Sequence, residues 1–95
     1  MDAPAVRIGI IGDFNPDFES HHAINASLQH SAGELGLAVQ PTWVPTPSLE
    51  DIQAAGNLSL FDGLWAASGG PYRSMRGMLA GIQFARTRKW PFVGT

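Results

Sequence analysis

Residues 61–95 read FDGLWAASGGPYRSMRGMLAGIQFARTRKWPFVGT, the stretch that decides the fold. Phe61 to Ala67 is predominantly apolar, as expected of a strand in a parallel sheet covered on both faces. Ser68-Gly69-Gly70-Pro71 makes a sharp loop. A helix is predicted from about Ser74 to Arg88, turning Met75, Met78, Leu79, Ile82 and Ala85 inward. Arg86, Arg88 and Lys89 suit the negative C-terminal end of that helix. Pro91-Phe92-Val93-Gly94 then opens another strand. A strand, a helix and a second strand in this succession pair the two strands in parallel and lay the helix on the sheet.

Working back toward the N-terminus, Val6 to Ile11 is short and rich in β-branched residues, a buried strand that ends at Gly12-Asp13. Asn15-Pro16-Asp17 is turn chemistry. Ile24, Leu28, Ala32 and Leu35 recur on one face of a helix over about 20–35, with Ser20 as N-cap and Gly36 closing its C-terminus. Leu37 to Val44 reads as a second strand with Leu37, Val39 and Trp43 on one side. Pro41 cannot donate to a ladder, so this strand belongs at an edge or carries a bulge. Pro45-Thr46-Pro47 is a loop, and Ser48-Leu49-Glu50-Asp51 resembles a helix start capped by Ser48, in a short helix ended by Gly56. The four strands predict an α/β, flavodoxin-like parallel sheet of order 2-1-3-4 with right-handed crossovers. Its ligand crevice falls at the switch point between strands one and three, where Gly12-Asp13 and Ser68-Gly69-Gly70 meet.

The chain has 95 residues, enough for one small domain. A formal charge of -2 with six basic residues leaves no electrostatic footprint for nucleic acid. The sequence holds no Cys, which excludes disulfides, thiolate metal sites and thiol catalysis by these residues. The apolar run Ile8 to Ile11 is broken by Gly9 and is too short for a signal peptide or a membrane span. No membrane partner is expected, and the cytoplasm is the default location.

Several patterns resemble one family. Asp62-Gly63, Gly69-Gly70, Arg73, Gly77, Ala85-Arg86 and Pro91-Phe92-Val93-Gly94 fall in step with the class I glutamine amidotransferases, nearest the C-terminal glutaminase domain of CTP synthase. The first strand, Gly12-Asp13 and the helix containing Ser20 resemble that domain's opening more loosely. Ser68 stands where the family has Pro, Pro71 stands for a Phe-Gly pair, and Ser74 replaces a Gly. The loop is thus one residue shorter than the family's.

The resemblance implies that Gly69 and Gly70 border an oxyanion hole, with the Gly70 N–H as one donor, and that Gly69, Gly70 and Arg73 contact substrate. Such donors stabilise the charge on a tetrahedral intermediate by roughly 3–4 kcal/mol each. Without the resemblance, the same loop reads as a plain strand-to-helix turn. The resemblance puts the family's Cys nucleophile at the residue after Thr95, and its His and Glu further on. Residues 1–95 then form the N-terminal half of an amidotransferase domain, inactive alone, whose full-length form hydrolyses glutamine or a related amide. A selenocysteine read at a recoded stop would supply the nucleophile, as in stand-alone CTP synthase-related selenoproteins. The other reading is a non-catalytic flavodoxin-like module that binds a small molecule or a protein. A response-regulator-like domain fits less well, because no paired-acid cluster follows strand one.

No cofactor is expected. Gly9-Ile10-Ile11-Gly12 is not a dinucleotide fingerprint. His21 and His22 point to different helix faces and read as a solvated helix start rather than metal ligands. Arg73 and Arg76 either hold an anion above the crevice or mark an exposed helix start. The outer edge of strand four, with Trp90, Phe92 and Val93, predicts a homo-oligomer formed there or at the strand-two edge.

Overall fold

The β-branched run near the N-terminus becomes the centre of the sheet. The computed structural model describes residues 5–51, 56–67 and 72–94. In it β1 (Ala5–Ile11) pairs in parallel with β2 (Ala38–Val44) on one side and β3 (Gly63–Ala66) on the other. β4 (Phe92–Gly94) adds in parallel to β3, giving the order β2-β1-β3-β4 that the sequence predicts. Helix α1 (Glu19–Leu35) links β1 to β2, and α2 (Met75–Arg88) links β3 to β4. Two 3₁₀ turns, Thr46–Leu49 and Asn57–Leu60, lie between β2 and β3.

Successive residues of a strand face opposite sides, and β1 uses this to seed two cores. Ile10 and Ile11 are both completely buried. Ile10 packs with Ile24 and Ala67, flanked by Ile8, Leu28, Trp43 and Trp65, on the α1 side. Ile11 packs with Leu49, Leu58, Leu64, Met78, Phe84 and Ala85 on the α2 side. Full burial of one such side chain contributes about 1.5–3 kcal/mol, so these neighbours anchor both layers. Pro41 sits on β2, an edge strand, where its missing donor costs least.

Several boundaries differ from expectation. Phe18, not Ser20, occupies the N-cap of α1, without a side-chain cap. The Phe18 carbonyl already accepts from the His21 and His22 N–H groups, which places Ser20 inside the first turn. Gly36 does close the helix, in the left-handed region at φ 67°, donating to the Ala32 and Gly33 carbonyls. Ser48 caps no helix: it lies within the first 3₁₀ turn, and its hydroxyl donates to the Pro45 carbonyl. β3 starts at Gly63 because Asp62 changes the ladder. Its N–H donates to the Arg7 carbonyl, but its side-chain oxygen accepts the Arg7 N–H.

The inward face of α2 is also rotated from expectation. Met75 and Leu79 are 57% and 56% exposed, whereas Gly77, Met78, Gly81, Phe84 and Ala85 are buried. Close approach to the loop after β2 causes the rotation. A Cβ on Gly77 would fall onto the carbonyl of Thr46, so only glycine lets the helix lie this close. At the other end, the Trp90 N–H donates to the Ala85 carbonyl and its indole N–H to the Phe61 carbonyl, locking the turn into β4.

Gly77→Ala should therefore destabilise the fold by at least about 2 kcal/mol in urea unfolding, since the blocking atom is backbone. Gly33→Ala, on α1 with open space around it, should stabilise by about 0.5–1 kcal/mol.

Candidate functional site

β1 runs out of apolar residues at Ile11, and the chain turns at Gly12, whose N–H donates to the Val44 carbonyl. Asp13 then stands at the carboxyl end of the sheet, between the exits of β2 and β3. Its Oδ1 accepts the Thr46 N–H at 2.9 Å, and its Oδ2 accepts the Thr46 hydroxyl at 2.7 Å and the Arg73 N–H at 2.8 Å. The Thr46 hydroxyl oxygen in turn accepts the Ser74 N–H at 2.8 Å. Ser74 then caps α2, accepting the Gly77 N–H on its side-chain oxygen at 3.0 Å. One carboxylate thereby joins the ends of β1 and β2 to the start of α2, through a threonine that is fully buried.

The electrostatics follow from that geometry. Burial alone would raise the Asp13 pKa. The hydrogen bonds from the Arg73 N–H and from the Thr46 hydroxyl and N–H, with the Arg73 charge, outweigh it and hold the carboxyl below its ordinary range.

The connection from β3 to α2 is fastened on both sides of residues 68–71. The Ala67 N–H donates to the Ile11 carbonyl at its entry. At its exit the Tyr72 hydroxyl donates back to the Ala67 carbonyl at 2.6 Å. The expected site residues Gly69 and Gly70 lie outside the described residues. Arg73, the third, is exposed at the crevice and reaches Asp13 through its backbone N–H. Arg76 does not join it: its guanidinium pairs with Glu50 at 2.5 Å on the surface.

His21 corrects the sequence reading most sharply. It is 2% exposed, not a solvated helix start. Its Nδ1 accepts the Asn15 N–H at 3.0 Å, and its ring lies 4.8 Å from Trp43 and 5.1 Å from Phe18. The signal was present in the sequence, since His21 is in helical phase with Ile24, Leu28 and Ala32. His22 is exposed and donates from Nε2 to the Pro16 carbonyl. Among the described residues no three His, Cys, Asp or Glu groups are placed to hold a metal ion. No described helix is long and apolar enough to cross a membrane.

No family model matches the chain. The CTP synthase of Acidobacterium capsulatum is 35% identical over 89 residues, 94% of this chain and 16% of that protein. The CTP synthase of Synechococcus sp. is 32% identical over 89 residues, again 16% of its length. The chain thus spans about a sixth of the curated relatives it matches. Among solved structures, the glutaminase domain of the Trypanosoma brucei CTP synthase, with bound acivicin, superposes with a TM-score of 0.81. That match is 25% identical and covers 94% of this chain and 35% of the other.

The lowered pKa of Asp13 makes a signed prediction. Its contribution to stability is complete above the carboxyl's unfolded value, about 3.9, and is lost as pH falls through the lower folded value. Asp13→Asn should cost about 2–3 kcal/mol near neutrality. It should also flatten the acid limb of stability against pH, read as urea midpoints between neutral and acid solution.

Proposed function

We propose that this chain, a glutamine amidotransferase-like domain related to the C-terminal region of CTP synthase, forms part of a site that hydrolyses the side-chain amide of glutamine or a related amide. The observation that supports this reading best is the convergence on the Asp13 carboxylate. It draws the end of β1, the turn after β2 and the start of α2 to one crevice. In the reaction a nucleophile adds to the amide carbon and the amide oxygen takes up negative charge. The C–N bond then breaks to release ammonia, and water delivers the acid. The role proposed for Gly70 is to donate its N–H to that oxygen, with Gly69 allowing close approach. Arg73, exposed at the mouth, supplies positive charge for the substrate carboxylate.

The nucleophile belongs to residues other than these 95, because the sequence holds no Cys. A Cys or selenocysteine at the position after Thr95, with a His activated by a Glu, would complete the triad logic of the reaction. The 95-residue polypeptide is accordingly expected to bind glutamine without turning it over. Purified polypeptide should release no ammonia from glutamine above the buffer background. Clear turnover would show that the nucleophile is misassigned. Absence of glutamine-dependent shifts in an amide NMR titration would favour the alternative, a non-catalytic module.

We further propose that the 95-residue polypeptide self-associates through β4. This strand is at the sheet edge, with Phe92 and Val93 36% and 55% exposed, and an open edge is a template for pairing. Light scattering at micromolar concentration should report a dimer or larger species. A monodisperse monomer would rule this out.

A further inference from the structure

We propose that two copies of this chain form a twofold dimer by antiparallel pairing of β4 with β4, with Val93 opposite Val93 on the dyad. This rests on the association through β4 proposed above, and adds its direction and register. The backbone groups of the strand decide the register. The Leu64 N–H donates to the Pro91 carbonyl, and Leu64 is in register with Phe92. Alternation along β4 then turns the Val93 N–H and C=O toward β3, and those of Phe92 and Gly94 outward. All three residues are exposed. The opposite edge of the sheet is gapped. The Gly12 N–H donates to the Val44 carbonyl, so Val44, Thr42 and Gln40 turn their backbone groups toward β1 and Pro41 faces outward. Pro41 offers no N–H to a strand arriving at that edge.

With Val93 on the dyad, Phe92 of each copy stands opposite Gly94 of the other. These are the outward-facing residues, so each such pair exchanges two N–H···O bonds, and Val93 makes the closer, non-hydrogen-bonded pair. The side chains suit the same register. Val93 is in register with Trp65 and lines an apolar groove with Ile8, Leu28, Gly63 and Pro91, so the dyad adds a second valine beside that groove. On the other face, a Cβ on Gly94 would already stand 3.6 Å from the Phe92 ring. Glycine at the position opposite Phe92 therefore leaves room for both rings. Charge selects the direction. Arg86, Arg88 and Lys89 are exposed just before β4. Antiparallel pairing sends the two basic clusters to opposite ends of the paired strands, whereas parallel pairing would set them side by side. An isologous contact of this kind closes at two copies.

The sequence holds no Cys, so one introduced thiol reports on one position. At a non-hydrogen-bonded antiparallel pair the Cα atoms lie about 4.5 Å apart, within disulfide reach. Gln40 is the equivalent position on the β2 edge, exposed and with its backbone groups turned inward. Under mild oxidation at micromolar concentration, Val93→Cys should form a covalent dimer at least about tenfold faster than Phe92→Cys or Gln40→Cys. Phe92→Cys mixed with Gly94→Cys should cross-link, although neither does so alone. Val93→Lys, which sets two ammonium groups face to face, should weaken dimerisation at least about tenfold by light scattering, with cooperative thermal unfolding retained. A monomeric unaltered chain, or a dimer that cross-links fastest through Gln40→Cys, would overturn both this proposal and the association through β4. A dimer that cross-links fastest through Phe92→Cys alone would leave the β4 association standing and overturn the register. A dimer indifferent to Val93→Lys would overturn the dyad at Val93.

Discussion

The Asp13 carboxylate accepts hydrogen bonds from the Thr46 N–H, the Thr46 hydroxyl and the Arg73 N–H, and the crevice end of the molecule depends on that convergence. A carboxylate at a strand exit gains by meeting N–H and O–H donors, because bonds to an ionised acceptor are stronger than neutral ones. Thr46 has no exposed surface, so its polar groups require partners inside the protein. Asp13 and Ser74 provide them, and Ser74 also caps α2. The sheet, the turn after β2 and the second helix are thereby fastened at one point.

That fastening explains the packing around it. The Thr46 carbonyl lies against α2 where Gly77 leaves room. The helix consequently turns Met78, Phe84 and Ala85 toward Ile11, and leaves Met75 and Leu79 in solvent. At the opposite end of α2, the Trp90 indole holds the Phe61 carbonyl, so the helix is pinned at both termini. The Tyr72 hydroxyl, donating to the Ala67 carbonyl, ties the start of α2 back to the end of β3.

The alternation of strands and helices was legible because strand composition and helix periodicity both follow from burial. Val6–Ile11 and Phe61–Ala67 could only be inner strands, and the parallel order followed from the connections. The inward face of α2 was not legible by the same rule. Apolar periodicity weighs Met75 and Leu79 as core and Gly77 and Gly81 as neutral, yet close backbone contact selects glycine for the buried positions. Asp13 was read as part of the strand end at the crevice but without partners, since nothing local reveals that its donors come from Thr46 and Arg73, far along the chain. His21 was misread by residue type, although its phase with Ile24 and Ala32 was correct for the core. The substrate role expected of Gly69 and Gly70 rests on family resemblance, and both lie outside the described residues.

The central claim is that Asp13 and Thr46 act as one unit in holding the crevice together. A double-mutant cycle tests it most directly, with Asp13→Asn and Thr46→Val measured singly and together by urea unfolding at neutral pH. Residues in one hydrogen-bonded network couple by about 0.5–3 kcal/mol. The account predicts at least about 1 kcal/mol, with the double variant less destabilised than the sum of the singles. Additivity within about 0.3–0.5 kcal/mol, the behaviour of independent sites, would contradict it.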